Sequence, residues 1–483
     1  MTKHPVSDSI KFDSTLPVSA VSENPLSFLA LDKLLHSFRI VTDHRKQWLE
    51  DLQLDADLTF IFKGKEQTPR TAEKLLRTNA FREYVKEKAK PERKYLLYRP
   101  LAPPYKVNPL YFVMNSPTIA HAYENKRYFR DEFASLIAMP DFDIRMIDEL
   151  DKETYEMFKE AFGNFVIQEE ESSGSRGTFI VKNYEQFLEV ALALKKHATT
   201  RSVVISRMID GHSAGVQGCI TKGGSFTSGI QRMVIGSDVL TNTNVDTAPG
   251  FAGGVVGSDY SQEVHKQAAE IVNVISAKLA KNGYKGIFGV DLIITPDDEV
   301  YAIEINARMT AFTHIVADMQ LNADQIPFLL LHLLEVGNYD YEITNLAAIP
   351  NHITGQGAVS YLIQNNKNVG NFTMPSYIKP GVYSLKDGKL EHLRHGYSIN
   401  DLKKKNEFLL FSSLVEGNVV SEGERLYTVT FKGNGMEKDD DDINQSSKDI
   451  FAAINEHYGI EFDEDEYSSS SGNDYEDEDV VIS

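Results

Sequence analysis

Two apolar runs separated by a short charged turn constrain this chain more than anything else in it. Gly289-Val290-Asp291-Leu292-Ile293-Ile294-Thr295 and Val300-Tyr301-Ala302-Ile303-Glu304-Ile305-Asn306-Ala307-Arg308 flank Pro296-Asp297-Asp298-Glu299. This pattern reads as a β-hairpin with a four-residue connection. If Thr295 faces Val300, the register puts Asp291 directly opposite Glu304. Asn306 then shares their face, because strand side chains alternate with period two.

Facing carboxylates repel, and apolar neighbours add a desolvation cost, so the pattern calls for a cation between them. Two carboxylates and an amide oxygen suit a hard ion such as Mg²⁺, which takes few protein oxygens and completes its octahedron with water and phosphate. The alternative, acids pointing to solvent, does not explain why the polar residues fall on one face with Arg308 next in the alternation.

A chain of 483 residues with 42% hydrophobic residues has material for two to four domains. No segment approaches the roughly 18 to 20 unbroken apolar residues of a membrane span, and the first thirty residues lack a signal-peptide pattern. The single cysteine, Cys219, excludes an internal disulfide framework and a Cys-rich metal site, so a reducing compartment, the cytoplasm, is the expected location. A net charge of −20 argues against a nucleic-acid partner. Much of that charge is local. Residues 461–483 hold ten acids and no base, which predicts a disordered, solvating tail, with a docking peptide as the alternative; a further acidic cluster spans Asp439 to Asp442.

Residues 1–25 read as a mobile leader. Over 26–120, apolar runs at Leu58–Phe62, Tyr95–Tyr98 and Tyr111–Met114 alternate with helical segments such as Thr71–Lys90, which predicts an α/β domain. Over about 130–210 a helix to Phe162, strands at Phe165–Ile167, Thr178–Val181 and Val203–Ile205, and a helix opened by Asn183 and Gln186 predict a compact α+β lid. A long amphipathic helix spans Gln262–Lys281. Beyond 340, turn signals at Pro380-Gly381, Asp387-Gly388, Glu416-Gly417 and Glu422-Gly423 predict a β-rich domain over 341–460, with a helix over Ser447–Tyr458.

Gly-Val-Asp-Leu, a turn and Ile-Glu-Ile-Asn-Ala-Arg together resemble the magnesium signature of the ATP-grasp superfamily, and the resemblance covers roughly 110–340. It implies an ATP-grasp fold over 121–340 between the N-terminal α/β and C-terminal β-rich domains. It also implies two Mg²⁺ ions, with Mn²⁺ as an alternative, bridging ATP phosphates from Asp291, Glu304 and Asn306, and Arg308 stabilising a charged intermediate.

Ser172-Ser173-Gly174-Ser175-Arg176-Gly177 resembles the family's flexible phosphate loop, whose small residues let backbone N–H groups approach an anion. Lys126 matches the first phosphate-contacting lysine. The second cationic position is Gln168, which supplies no charge, and Arg176 is the candidate for compensating it. Met208 and Ile209 match the apolar part of the adenine hinge, without its usual acidic residues. Gln231 and Arg232, with the glycine-rich run Pro249–Gly254, are candidates for the acceptor side, Arg232 as a bidentate partner of a substrate carboxylate. His314 could face the site, and Cys219 belongs to no nucleophile constellation.

The implied activity is an ATP-dependent ligase that activates a small carboxylate as an acyl phosphate and joins it to an amine or thiol. A homodimer is compatible with this reading. The alternatives are an ATP-binding regulatory or scaffold protein with weakened chemistry, and an ATP-grasp kinase or carboxylase.

Overall fold

The computed structural model describes residues 5–22, 24–36, 38–42, 51, 57–60, 75–79, 81–83, 93–101, 111–171, 177–197, 200–242, 250–349, 357–438 and 440–463. The segment expected to be a mobile leader is built into it. Strand β1 (Ile10–Phe12) pairs antiparallel with a strand some 330 residues later, Ile10 facing Ile343. Strand β2 (Val18–Val21) is the middle of a parallel sheet ordered β4-β3-β2-β5-β6, with β3 Arg39–Thr42, β4 Asp57–Phe60, β5 Lys94–Leu97 and β6 Phe112–Val113. A central parallel strand is covered on both faces and need not alternate. Val18-Ser19-Ala20-Val21 is wholly buried, and its small residues and serine hid it from a reading based on apolar runs. The helix expected over Thr71–Lys90 lies mostly outside the described residues.

Helices α1 (Pro117–Glu124) and α2 (Lys126–Phe133) lead into a four-stranded antiparallel lid sheet ordered β7-β10-β8-β9. Its strands are β7 Phe142–Met146, β8 Phe165–Glu169, β9 Thr178–Val181 and β10 Ser202–Arg207. Helices α3 (Lys152–Phe162) and α4 (Tyr184–His197) supply the lid's other core face, centred on Phe158, Phe165 and Phe187. The expected helix to Phe162 is thus interrupted by β7, an edge strand whose Phe-Asp-Ile-Arg-Met carries little apolar signal. At the start of α4, Asn183 Oδ1 accepts from Gln186 N at 2.9 Å and Gln186 Oε1 accepts from Lys182 N at 3.0 Å.

The largest sheet runs β16-β15-β11-β13-β14-β18-β24-β22-β20-β21, with β12 attached to β11. In chain order these are β11 His212–Thr221, β12 Gly224–Thr227, β13 Gln231–Ile235, β14 Phe251–Val256, β15 Gly286–Ile294 and β16 Val300–Asn306. After β17 (Tyr341–Ile343), the partner of β1, come β18 Val359–Asn365, the short pair β19 Phe372–Thr373 and β23 Val419–Val420, β20 Gly381–Lys386, β21 Lys389–Arg394, β22 Glu407–Phe411 and β24 Arg425–Lys432. The C-terminal β-rich segment is therefore no separate body: β18 pairs with β14, Val359 facing Val256, and the sheet passes straight through.

Helix α5 (Gln262–Lys281) forms where expected. Its N-cap Ser261 accepts from Val264 N, and Val264, Ala268, Ile271, Val272, Ile275 and Leu279 make the apolar stripe that packs on the sheet. Helices α6 (Thr313–Asn322) and α7 (Phe328–Val336) follow the hairpin, and α8 (Gln445–Tyr458) lays Phe451 and Ile454 on the C-terminal strands. The acidic tail starts later than its composition indicates, because Phe462 packs on Phe372 at 5.9 Å under the Lys367 ammonium. Residues from 464 lie outside the described set. Among the described residues no helix is long and apolar enough to cross a membrane.

Candidate active site

The hairpin carries the expected pair by an unexpected route. Near the turn, Ile294 faces Val300, Ile293 faces Tyr301 and Leu292 faces Ala302, one step away from the register predicted from the sequence. The connection is Thr295–Glu299, five residues rather than four, with Asp298 in the left-handed region at φ 63°. A β-bulge then places Ile303 as an extra residue on β16. Beyond it Asp291 faces Glu304, Val290 faces Ile305 and Gly289 faces Asn306. The longer turn and the bulge offset each other.

Burial and the Glu304 charge push the Asp291 carboxyl up to about 8. The pair therefore retains a proton near neutrality unless a cation replaces it. Lys126, at the start of α2 and 3% exposed, brings its Nζ to 3.2 Å from Glu304 Oε2. Asn125 caps that helix by accepting from Tyr128 N at 2.9 Å, and Lys126 N donates to Glu170 O at the end of β8.

One turn along α2, Arg130 is fully buried with its guanidinium against the Phe129 and Phe142 rings, at 5.9 and 5.7 Å. Burial lowers its pKa to about 10, against the pull of Glu304, and its Nε has no hydrogen-bond partner. Arg308 Nη2 donates to Asn306 Oδ1 at 2.6 Å, and its Nε lies 3.2 Å from Glu124 Oε1.

These groups face a cavity of about 440 Å³ between the lid and the large sheet. Its wall includes Lys126, Gln168, Met208, Ile209, Gln231, Asp291, Glu304, Asn306 and Arg308, so most of the residues singled out in the sequence meet there. Gln168 is neutral and donates from Nε2 to Thr178 Oγ1 at 3.4 Å. Gly177, at φ 71°, accepts at its carbonyl from Glu169 N and closes the lid hairpin. Ser172, Ser173, Gly174, Ser175 and Arg176 lie outside the described residues. Two carboxylates and an amide oxygen at the wall of a cavity with buried cations fit a hard divalent ion shared with a polyanion.

Arg232 must be reassigned. Strand alternation turns it to the opposite face of β13, where Nη1 donates to the Glu437 and Lys438 carbonyls (3.0 and 2.9 Å) and Nη2 to that of Asp440 (2.8 Å). Asp441, 3.7 Å from Arg232 Nε and 3.0 Å from His212 Nδ1, completes the clamp. Part of the acidic cluster is thus an internal counter-ion rather than a solvated patch. The Gly253–Gly254 run serves strand packing, since a Cβ on Gly254 would lie 2.0 Å from the Arg232 carbonyl. His314 lies behind the cavity wall against the Tyr361 ring, and burial lowers its pKa to about 4. Cys219 is buried with its thiol pushed up. Sequence reasoning missed Arg130, whose signal was a second cation one turn after Lys126, and the apolar wall that Met233, Ile235 and Phe312 form with Phe251 of the glycine-rich run.

Residues 123–312 match the family model of the ATP-grasp domain. Among solved structures it is similar to the biotin carboxylase–β,γ-ATP complex from Campylobacter jejuni (TM-score 0.59, 11% identity, 92% of this chain and 98% of that one). It is also similar to the biotin carboxylase domain dimer of Hydrogenobacter thermophilus 2-oxoglutarate carboxylase, in complex with MgADP, ADP and bicarbonate (0.57, 12%, 87% of each). A third likeness is to phosphoribosylamine–glycine ligase from Thermotoga maritima (0.56, 14%, 91% and 96%). At these identities the likeness is one of fold. No curated protein matches the sequence.

Proposed function

We propose that this chain is an ATP-dependent ligase that activates a small carboxylate and joins it to an amine or thiol. The observation that carries this reading is the convergence of Asp291, Glu304, Asn306, Lys126 and Arg308 on one cavity between a lid and an antiparallel sheet. Asp291, Glu304 and Asn306 would hold Mg²⁺, two ions by the superfamily pattern, which when bound would neutralise polyphosphate charge. Asn306 Oδ1 now accepts from Arg308, so loading implies that Arg308 turns away from it and frees its donors for substrate.

Lys126 and Arg130 hold the phosphates from the α2 side, and the backbone at Met208 and Ile209 pairs with the adenine edge. Gln168 adds a neutral hydrogen-bonding group to the phosphate site. A carboxylate oxygen attacks the γ-phosphorus as its bond to ADP breaks. The nucleophile then attacks the acyl carbon, the bond to phosphate breaks, and the departing phosphate takes the proton. Catalysis comes chiefly from positioning and from cations facing the transferring group.

ADP and phosphate release across pools of carboxylic acids and amines tests the reading, with hydroxylamine as trap. A hydroxamate is expected, and a stable phosphorylated alcohol would replace the ligase with a kinase. Neutral Gln168 at a usual cation position favours a second reading, a nucleotide-binding protein with weakened chemistry. It predicts MgATP binding with no ADP release from any pool.

A further inference from the structure

The cavity is charged on one side only. The charged residues on its described wall are Lys126, Arg130, Arg207, Asp291, Glu304 and Arg308, from α2, the end of β10, the hairpin and the segment just after it. Across β11 the wall changes character. Period-two alternation turns Gln231, Met233 and Ile235 of β13 to the cavity, while Val234 enters the C-terminal core and Arg232 its carbonyl clamp.

Gly215 makes room for this surface: a Cβ there would lie 2.6 Å from Met233 Cε. Phe251 meets Phe312 edge-on at 5.8 Å, and Phe312 meets Tyr361 at 6.2 Å, which fixes an aromatic end wall. Met233 and Phe251 are only partly buried against that cluster, so their remaining surface faces the cavity. Gln231 Nε2 donates to Ser228 Oγ at 3.0 Å and to the Gly229 carbonyl, leaving Oε1 as a neutral acceptor beside Gly215.

A charged group set against this wall would lose water without gaining a counter-ion, whereas an aliphatic or aromatic group would gain contact with four apolar side chains. We infer that the carboxylate substrate has an uncharged, apolar body lying on Met233, Ile235, Phe251 and Phe312, with its carboxylate toward Arg308. This inference rests on the ligase reading of the same cavity.

Thermal denaturation of the full chain with MgADP and a panel of acids tests it, pairing hexanoate and phenylpropionate with adipate and aminocaproate. The apolar acids should raise Tm at concentrations about tenfold lower than their charged counterparts. Met233→Lys should erase that preference and Met233→Leu should keep it, with stabilisation by MgADP persisting in both; Met233→Gln replaces the lysine variant if that one does not fold. Equal response to all acids, response to none, a preference for the charged ones, or an unchanged preference in Met233→Lys overturns the inference. Failure of MgADP to stabilise the wild type would instead overturn the nucleotide reading beneath it.

Discussion

Asp291 stabilises the metal-free protein least at the pH where it would bind metal best. The Asp291 carboxyl titrates near 8 in the folded chain and at about 3.9 in an unfolded one, so the native state holds the extra proton between these values. Its contribution to stability is fully present at low pH and is lost as pH rises through 8. Asp291→Asn removes the titration. Its Tm relative to wild type should therefore be higher at pH 8 than at pH 6 in the absence of magnesium, and an equal difference at both would show that the pair is not protonated.

Magnesium bound at this pair would have to displace that proton, so its apparent affinity should rise with pH up to about 8, with proton release measurable by calorimetry in two buffers. Glu304→Gln should abolish magnesium-dependent ADP stabilisation while the apoprotein folds, because the amide keeps an oxygen acceptor for Lys126 and removes the charge beside Asp291. Unchanged magnesium dependence in this variant would sink the metal assignment.

At the scale of elements, the short helix α2 positions both buried cations. Asn125 fixes where it starts, accepting from Tyr128 N and donating from Nδ2 to Glu170 Oε2 on the lid at 3.4 Å. Asn125→Ala should lower stability by about 1 kcal/mol, the usual worth of an N-cap. It should also raise KM for ATP, because Lys126 and Arg130 lose their shared anchor. A normal KM with lowered Tm would confine the cap to a structural role.

Much of this scale was legible in the sequence: α5 follows its 3.6-residue stripe, and Asp387-Gly388, Glu416-Gly417 and Glu422-Gly423 mark real turns, whereas Pro380-Gly381 leads straight into β20. The Asp291–Glu304 opposition was legible too, although its register was not. A bulge is an extra residue with no compositional mark, and Ile303 looks like any strand residue. Arg232 was misjudged because its neighbours in the chain say nothing about a clamp formed by Glu437, Lys438, Asp440 and Asp441. Only the assembled sheet shows which face of β13 meets the cavity.

For the whole molecule, the two chain ends make opposite predictions from similar-looking polar sequence. Val6 and Ile10 are buried in the same core as Leu329 to Leu334 of α7, and β1 closes a two-stranded sheet with β17. Removing residues 1–12 would uncover Tyr341 and Ile343 and forfeit the burial of two aliphatic side chains, about 3 kcal/mol or more. At the C-terminus, Ile460 is buried and Phe462 packs on Phe372, whereas residues 464–483 carry eight acids and no base. Such a segment offers little apolar surface and repels itself. Truncation after Asp463 should therefore leave Tm and MgADP stabilisation unchanged, while removal of residues 1–12 should lower Tm by several degrees and yield a chain prone to association through β17. Truncation before Glu461 should fall between them, because it strips Phe462 from its aromatic partner. Differential scanning calorimetry of the three deletions decides the matter: a tail deletion as damaging as the N-terminal one would mean that the acidic end docks on the folded body.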